Sequence, residues 1–338
     1  MRHPTFVRTQ EIEHEIGPTG SLQLRLTSAD VRIHGIEGGI ARVRAIFEVR
    51  AADDAGADEV FAAVQLRVVR DTHALGISEP ERHMHGLAGG LHRLLGMPHA
   101  DLSVEVELPA GAEVQFDGVS ADLTAAGLHG SQRFKTVSGD LVLTDVAGEL
   151  ALNSVSGDAT VRAVGEVGVQ AGSVSGDLSI VAPRIARLRA NTVSGDLEIE
   201  GELASGGDPH RVETVSGDLT LGLVGRNLDM EVRGLSTDVR CDLPHRSEGS
   251  RDRRRYVVGD GGPQLLFSSM SGDVSVRAAR RAAPQPGRPA EPPTPQGPGT
   301  PPAPPAPDER LAILRALEHG ELTVVEALRR LGPGGPDA

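Results

Sequence analysis

The chain has 338 residues, with 34 Lys and Arg against 47 Asp and Glu, and its formal net charge of −13 argues against general nucleic-acid binding, which draws most of its affinity from neutralising phosphates. Aromatic residues make up 2% of the chain, with no Trp, which excludes a core built on large rings and suits a narrow interior of Val, Leu, Ile and Ala. The single cysteine, Cys241, rules out an intrachain disulfide and a cysteine-based zinc cluster.

The N-terminal stretch MRHPTFVRTQEIEHEIG lacks the apolar core of a signal peptide. No apolar run approaches the roughly 20 residues that span a bilayer. The expected compartment is the cytoplasm, with the cell envelope as the alternative. Leu22, Leu24 and Leu26 alternate with polar neighbours before Ser28-Ala29-Asp30, which reads as a strand running into a turn. Residues 71–100 form an insertion rich in Gly and His. Its His83, His85, His92 and His99 are ligand types that suit Zn, Cu or Ni, but their spacing fits no strong template. They are expected to lie in an exposed loop, and no metal or other cofactor is assigned. Leu102, Val104, Val106 and Leu108 alternate again before Pro109-Ala110-Gly111.

An internal repeat then dominates the chain. Val137-Ser138-Gly139-Asp140 recurs as Val155-Ser156-Gly157-Asp158, Val174-Ser175-Gly176-Asp177, Val193-Ser194-Gly195-Asp196 and Val215-Ser216-Gly217-Asp218. Degenerate copies are Val119-Ser120-Ala121-Asp122, Leu235-Ser236-Thr237-Asp238 and Met270-Ser271-Gly272-Asp273. Successive copies start 18, 18, 19, 19, 22, 20 and 35 residues apart. Each unit reads as two short strands and two turns, because Leu141 and Leu143, then Leu150 and Leu152, alternate with polar or small residues. Such a unit is too small to bury its own apolar face, and stacking like units about 4.8 Å apart solves that. The expected fold is all-β: a β-solenoid, a parallel β-helix-like stack of roughly 19-residue rungs. An antiparallel meander with Ser-Gly-Asp at alternate hairpins is the competing arrangement.

The tetrad has a physical reading of its own. Glycine permits positive φ at a sharp turn, and Ser and Asp can bond nearby amides. Val and the following Leu are expected to point inward, with Ser and Asp lining the edge. The residue before Val is hydroxylic at Thr136, Ser154, Ser173, Thr192, Thr214 and Ser269. Parallel stacking places Asp140, Asp158, Asp177, Asp196 and Asp218 in one column, whose carboxylates need amides, hydroxyls, water or a cation. Turn stabilisation is the expected role, with weak cation binding the lesser one.

Residues 243–262 are expected to form a second insertion, a solvated loop carrying Arg251, Arg253, Arg254 and Arg255. The repeat domain is assigned to 1–280. From Pro284 to Pro307, 12 of 24 residues are proline, which defines a linker over 281–307. After it, Leu311, Leu314 and Leu317 share one helical face, and Leu328 and Leu331 sit on a second helix opened by Thr323-Val324-Val325-Glu326. The result is a helical hairpin over 308–332, too small to stand alone. Its leucines are expected to bind a partner protein or another copy of the chain.

No GxSxG elbow occurs, and the only lysine, Lys135, lacks the glycines of a phosphate loop. Ser and Asp recur in every unit, which suits a scaffold better than a single catalytic centre. The Val-Ser-Gly-Asp units resemble the bacterial β-strand-repeat family known by the name "putative adhesin", of unknown function, over about residues 20–279. The segment ERLAILRALEHGELTVVEALRRL at 309–331 resembles the short C-terminal helical modules of SHOCT-like type, which accompany such repeats in some proteins of the cell-envelope stress response. The resemblance implies a β-solenoid with an interaction or oligomerisation module, and no established activity. The reading is a non-enzymatic binding or scaffold protein. An envelope-associated adhesin or stress sensor is one alternative, and a metal-dependent enzyme centred on His83 to His99 is another.

Overall fold

The computed structural model describes residues 4–80, 100–250 and 253–279. Local structure follows the alternation: in Ile40–Arg50, as in most strands, buried and solvent-facing side chains take turns. In each regular repeat unit one strand ends at the Ser-Gly-Asp corner and the next begins after it. One strand joins a first sheet, and the other joins a second sheet that faces it. Away from the corner the chain bends without breaking. Leu141–Ser156, Ala159–Ser175 and Leu178–Ser194 each run through both sheets, with register shifts at the bend.

Among the described residues ten such rungs stack in parallel. The regular ones follow chain order: Glu113–Gly118 with Asp122–Ala126 is rung 3, Gln132–Thr136 with the start of Leu141–Ser156 is rung 4, and His210–Ser216 with Leu219–Leu223 is rung 8. Chain order is inverted at both ends. Ser21–Leu26 and Asp30–Ile36 form rung 2, while the later Ala74–Ser78 and Ala100–Pro109 form rung 1 outside it. Gln264–Ser271 and Val274–Ala278 form rung 9, inserted between rung 8 and the earlier Leu228–Ser236 and Val239–Cys241 of rung 10. The antiparallel meander is therefore excluded for the repeat.

The interior explains the missing rings. One inward column runs Leu24, Phe116, Phe134, Leu152, Ala171, Ala190, Val212, Phe267 and Val232 from rung 2 to rung 10. Its middle members shrink to alanine at Ala171 and Ala190, in the rungs whose other strand carries the buried Leu178 and Leu197. The aromatics collect toward the ends: Phe116 and Phe134 in rungs 3 and 4, Phe267 in rung 9, and Phe47 and Tyr256 in the capping layers.

Each open end is covered differently. At the N-terminal end Thr5–Glu15 pairs antiparallel with Ile40–Arg50, which pairs antiparallel with Ala100–Pro109. The helix Asp54–Val64 packs beside them, with Asp53 accepting from the Gly56 amide and Phe61 set edge-on to Phe47. Gln10 donates to the Leu66 carbonyl at 3.0 Å and accepts from the Leu66 amide at 2.9 Å, tying the first strand to the chain beyond the helix. At the other end, in the hairpin of His245–Gly249 and Arg253–Val258, the second strand pairs antiparallel with Leu228–Ser236 and buries its own Tyr256 and Val258.

Three expectations need correction. The N-terminal third of the repeat domain assigned to 1–280 is not built of rungs alone, since it carries an antiparallel layer and a helix. The segment 243–262 is a capping hairpin rather than a solvated loop. The third concerns glycine: among the regular corners only Gly157 and Gly176 have positive φ, at 152° and 153°. The requirement is close approach. A Cβ on Gly157, Gly176, Gly195, Gly217 or Gly272 would fall far inside contact distance of the corner glycine carbonyl oxygen one rung below. The helical hairpin, with Leu311, Leu314, Leu317, Leu328 and Leu331, lies outside the described residues, as do the proline-rich segment, Arg251 and the four insertion histidines.

Gly176→Ala is expected to lower unfolding free energy by about 3 kcal/mol, the upper range for a single substitution, because two stacked backbones must part. Gly207→Ala, whose Cβ meets nothing within 4 Å, is expected to be near neutral in the same denaturant titration.

Candidate functional site along the corner edge

The tetrads line up along one edge. The backbone amide of Asp140 donates to Asp122 Oδ1, Asp158 to Asp140, Asp177 to Asp158, Asp196 to Asp177, Asp218 to Asp196, Asp273 to Asp218 and Asp238 to Asp273, all at 2.8–3.0 Å. Every carboxylate in the column up to Asp273 thus accepts the amide of the next rung. A charge-assisted bond of this kind is stronger than a neutral one, and it offsets the mutual repulsion of the column. Main-chain bonds alternate with it: the amides of Leu141, Ala159, Leu178 and Leu197 donate to the carbonyls of Asp158, Asp177, Asp196 and Asp218 at 2.9 Å. Among the described residues none of these eight carboxylates is in a salt bridge, and all eight residues are exposed.

Ser138, Ser156, Ser175, Ser194, Ser216 and Ser271 form a parallel exposed row at the apex. Gly139, Gly157, Gly176, Gly195, Gly217 and Gly272 lie behind them, against the next backbone. The valine expectation is overturned. Val119, Val137, Val155, Val174, Val193 and Val215 are 44–48% exposed, Met270 is 57% and Leu235 is 78%. At Thr136, Ser154, Ser173, Thr192, Thr214 and Ser269 the hydroxylic residue that precedes the exposed apolar one is buried or half-buried, so alternation turns the next side chain out. The inward hydroxyl was readable at those positions, and its consequence for the next residue was the missed signal.

Behind the edge, the Ser154 and Ser173 hydroxyls donate to the carbonyls of Gly157 and Gly176 at 3.3 and 3.4 Å. The hydroxyls of Thr136, Thr192, Thr214 and Ser269 are buried without a protein partner. A cavity of about 20 Å³, the size of a water, lies beside Ser154, Ser173 and Thr192.

Among the described residues, Arg253 and Arg255 of the run are paired. Arg255 pairs with Asp229, and Arg253 with Glu231 at 2.8 Å, between the capping hairpin and Leu228–Ser236; Arg233 also reaches Glu231 at 2.6 Å. These contacts hold both carboxyls below their ordinary range, with the arginine hydrogen bonds the leading cause. Among the described residues no three His, Cys, Asp or Glu side chains are grouped to hold a metal ion. Cys241 is half-buried, and burial pushes its thiol upward, away from nucleophilic thiolate.

His210 is a buried titratable group away from the edge. It is 1% exposed, its Nε2 lies 2.9 Å from the Ala204 carbonyl, and its Nδ1 has no partner. Burial lowers its pKa, and the backbone bond opposes this less strongly.

Two measurements follow. Asp177→Asn keeps an Oδ1 acceptor while removing a charge, so unfolding free energy is expected to stay level or rise. Asp177→Ala leaves the Asp196 amide without its acceptor and is expected to cost about 1 kcal/mol. For His210 the folded chain refuses a proton that the unfolded chain accepts. Stability is therefore present above about pH 6.5 and falls as pH drops through that value, levelling below the lowered folded pKa. Comparing His210→Leu with the parent across pH 4.5–7.5 isolates this component, which is expected to vanish in the variant.

No curated protein matches the chain. Solved structures similar to it include a protein titled "putative adhesin" from Bacteroides fragilis NCTC 9343, 10% identical, covering 80% of this chain and 97% of that one with a TM-score of 0.43. Another is titled "Putative lipid binding protein", from Parabacteroides distasonis ATCC 8503, 12% identical, covering 80% and 96% with a TM-score of 0.40. A "putative adhesin" from the same organism is 13% identical, covering 80% and 97% with a TM-score of 0.32. The family described as Toastrack DUF4097 matches residues 19–207. That span is more than half of the sequence, and the chain belongs to the Toastrack DUF4097 family.

Proposed function

We propose that the protein is a non-enzymatic binding scaffold: a rigid repeat domain over residues 1–280, a proline-rich tether over 281–307, and a helical module over 308–332 that self-associates or recruits a partner. The observation that carries this reading is the translational sameness of the edge. Catalysis needs a unique constellation of groups. Here Ser and Asp recur at every corner from rung 2 to rung 10, and the carboxylates are engaged as amide acceptors in the stack. Such a ladder supplies stiffness and a repeated surface. No described helix is long and apolar enough to cross a membrane. Residence in the cytoplasm is part of the proposal.

The tether supports the division of labour. From Pro284 to Pro307, 12 of 24 residues are proline, a composition that suits the role of spacer proposed for 281–307. Leu311, Leu314, Leu317, Leu328 and Leu331 are the residues proposed to bind. The turn residues of the repeat are proposed as structural, not catalytic.

Removing residues 308–338 is expected to change the oligomeric state measured by light scattering, or to abolish capture of a partner that the full chain retains. An unchanged mass together with unchanged capture would contradict the proposal.

A further inference from the structure

The corner edge is more than a structural seam, because its two exposed rows differ in chemistry and run side by side. From rung 6 to rung 10 the apolar row reads Val174, Val193, Val215, Met270 and Leu235, and its exposure peaks at the last two. The neighbouring row carries Asp196, Asp218, Asp273 and Asp238, unpaired by any described cation. Shallow depressions flank the ridge here, one of about 530 Å³ beside Val215, Leu235 and Met270, and one of about 610 Å³ among the Ser and Asp side chains. Rungs about 4.8 Å apart put the carboxylates closer together than the Debye length of about 8 Å in physiological salt. They therefore act on a ligand as one negative stripe.

We propose that this C-terminal half of the edge docks a basic amphipathic helix of a partner protein, its apolar stripe on Leu235, Met270 and Val215 and its Lys or Arg side chains along the aspartates. The proposal deepens the scaffold reading and rests on it. Charge complementarity selects this occupant. Two copies of the chain meeting edge to edge would bring two carboxylate rows together, and an anionic lipid surface would be repelled by the same row. A helix offers apolar side chains every turn, about 5.4 Å apart, close enough to the rung spacing to engage three successive rungs. Bulky apolar side chains at the centre and charges at the rim is the usual division at such interfaces.

The test uses the full chain and a labelled 22-residue helical peptide with a leucine stripe and a lysine stripe, titrated by fluorescence anisotropy, and a matched leucine–glutamate peptide. The lysine peptide is expected to bind and the glutamate peptide not to. Changing Asp196, Asp218, Asp238 and Asp273 together to Asn keeps an amide acceptor at each rung and is expected to weaken binding about tenfold or more, a loss of about 1.4 kcal/mol. Changing Glu15, Glu37, Glu59 and Glu113 to Gln removes the same charge elsewhere and is expected to change binding less than twofold. Val215→Ser, Met270→Ser and Leu235→Ser together alter only exposed side chains, so the fold survives, and binding is again expected to fall about tenfold. Equal losses in the two charge sets, no loss in the serine set, binding of the glutamate peptide, or self-association that the serine set abolishes would each overturn the proposal. An altered mass on removing 308–338 would persist under any of those results, so the scaffold reading stands or falls separately.

Discussion

Everything in this molecule is subordinate to the distance between hydrogen-bonded backbones. Neighbouring rungs sit about 4.8 Å apart, and at the corner there is room for nothing beyond the main chain itself. That is why glycine recurs at 139, 157, 176, 195, 217 and 272, where a methyl group would strike the carbonyl below. The non-glycine residues at this place, Ala29, Ala121 and Thr237, occur only in rungs 2, 3 and 10, toward the two ends of the stack. The same spacing fixes the aspartate, whose side chain is long enough to reach the amide of the next rung and short enough to do so without bending away.

Stacking at fixed spacing creates a problem that the ends must solve. A parallel stack leaves open strand edges and an open core at each terminus. Here the covering elements are all antiparallel or helical, and they carry the bulky residues that the middle cannot hold: Phe47, Phe61 and Tyr256. The two inversions of rung order serve the same purpose. Each places outermost a strand that pairs with the cap: Ala100–Pro109 of rung 1 with Ile40–Arg50, and Leu228–Ser236 of rung 10 with Arg253–Val258.

Much of this was legible in the sequence, and the failures are instructive. The tetrads announced the rungs, the alternation gave the strands, and the shared column of aspartates followed from parallel stacking. Rung order was not legible, because Asp218 can accept a neighbour as well from Leu235-Ser236-Thr237-Asp238 as from Met270-Ser271-Gly272-Asp273, and only the capping layer distinguishes them. The helix at Asp54–Val64 buries just Ala57 and Val64, too few positions to show a helical period. The outward valines run against the expectation that an apolar residue beside a turn is core: before Val137, Val193 and Val215 the buried Thr136, Thr192 and Thr214 already occupy the inner face. Val155 and its equivalents are therefore a surface property of the repeat, while Leu141 and its equivalents are a core property.

The spatial order of the rungs is the most direct point at which to test the account. Spin labels at Ser138 in rung 4 and Ser271 in rung 9 should lie about 24 Å apart, and labels at Ser138 and Ser236 in rung 10 about 29 Å apart, for rungs at the usual strand spacing. Pulsed dipolar spectroscopy on the two pairs should therefore give the shorter distance to the residue that comes later in the chain. A longer distance to Ser271 than to Ser236, or distances that do not scale with rung number, would contradict it.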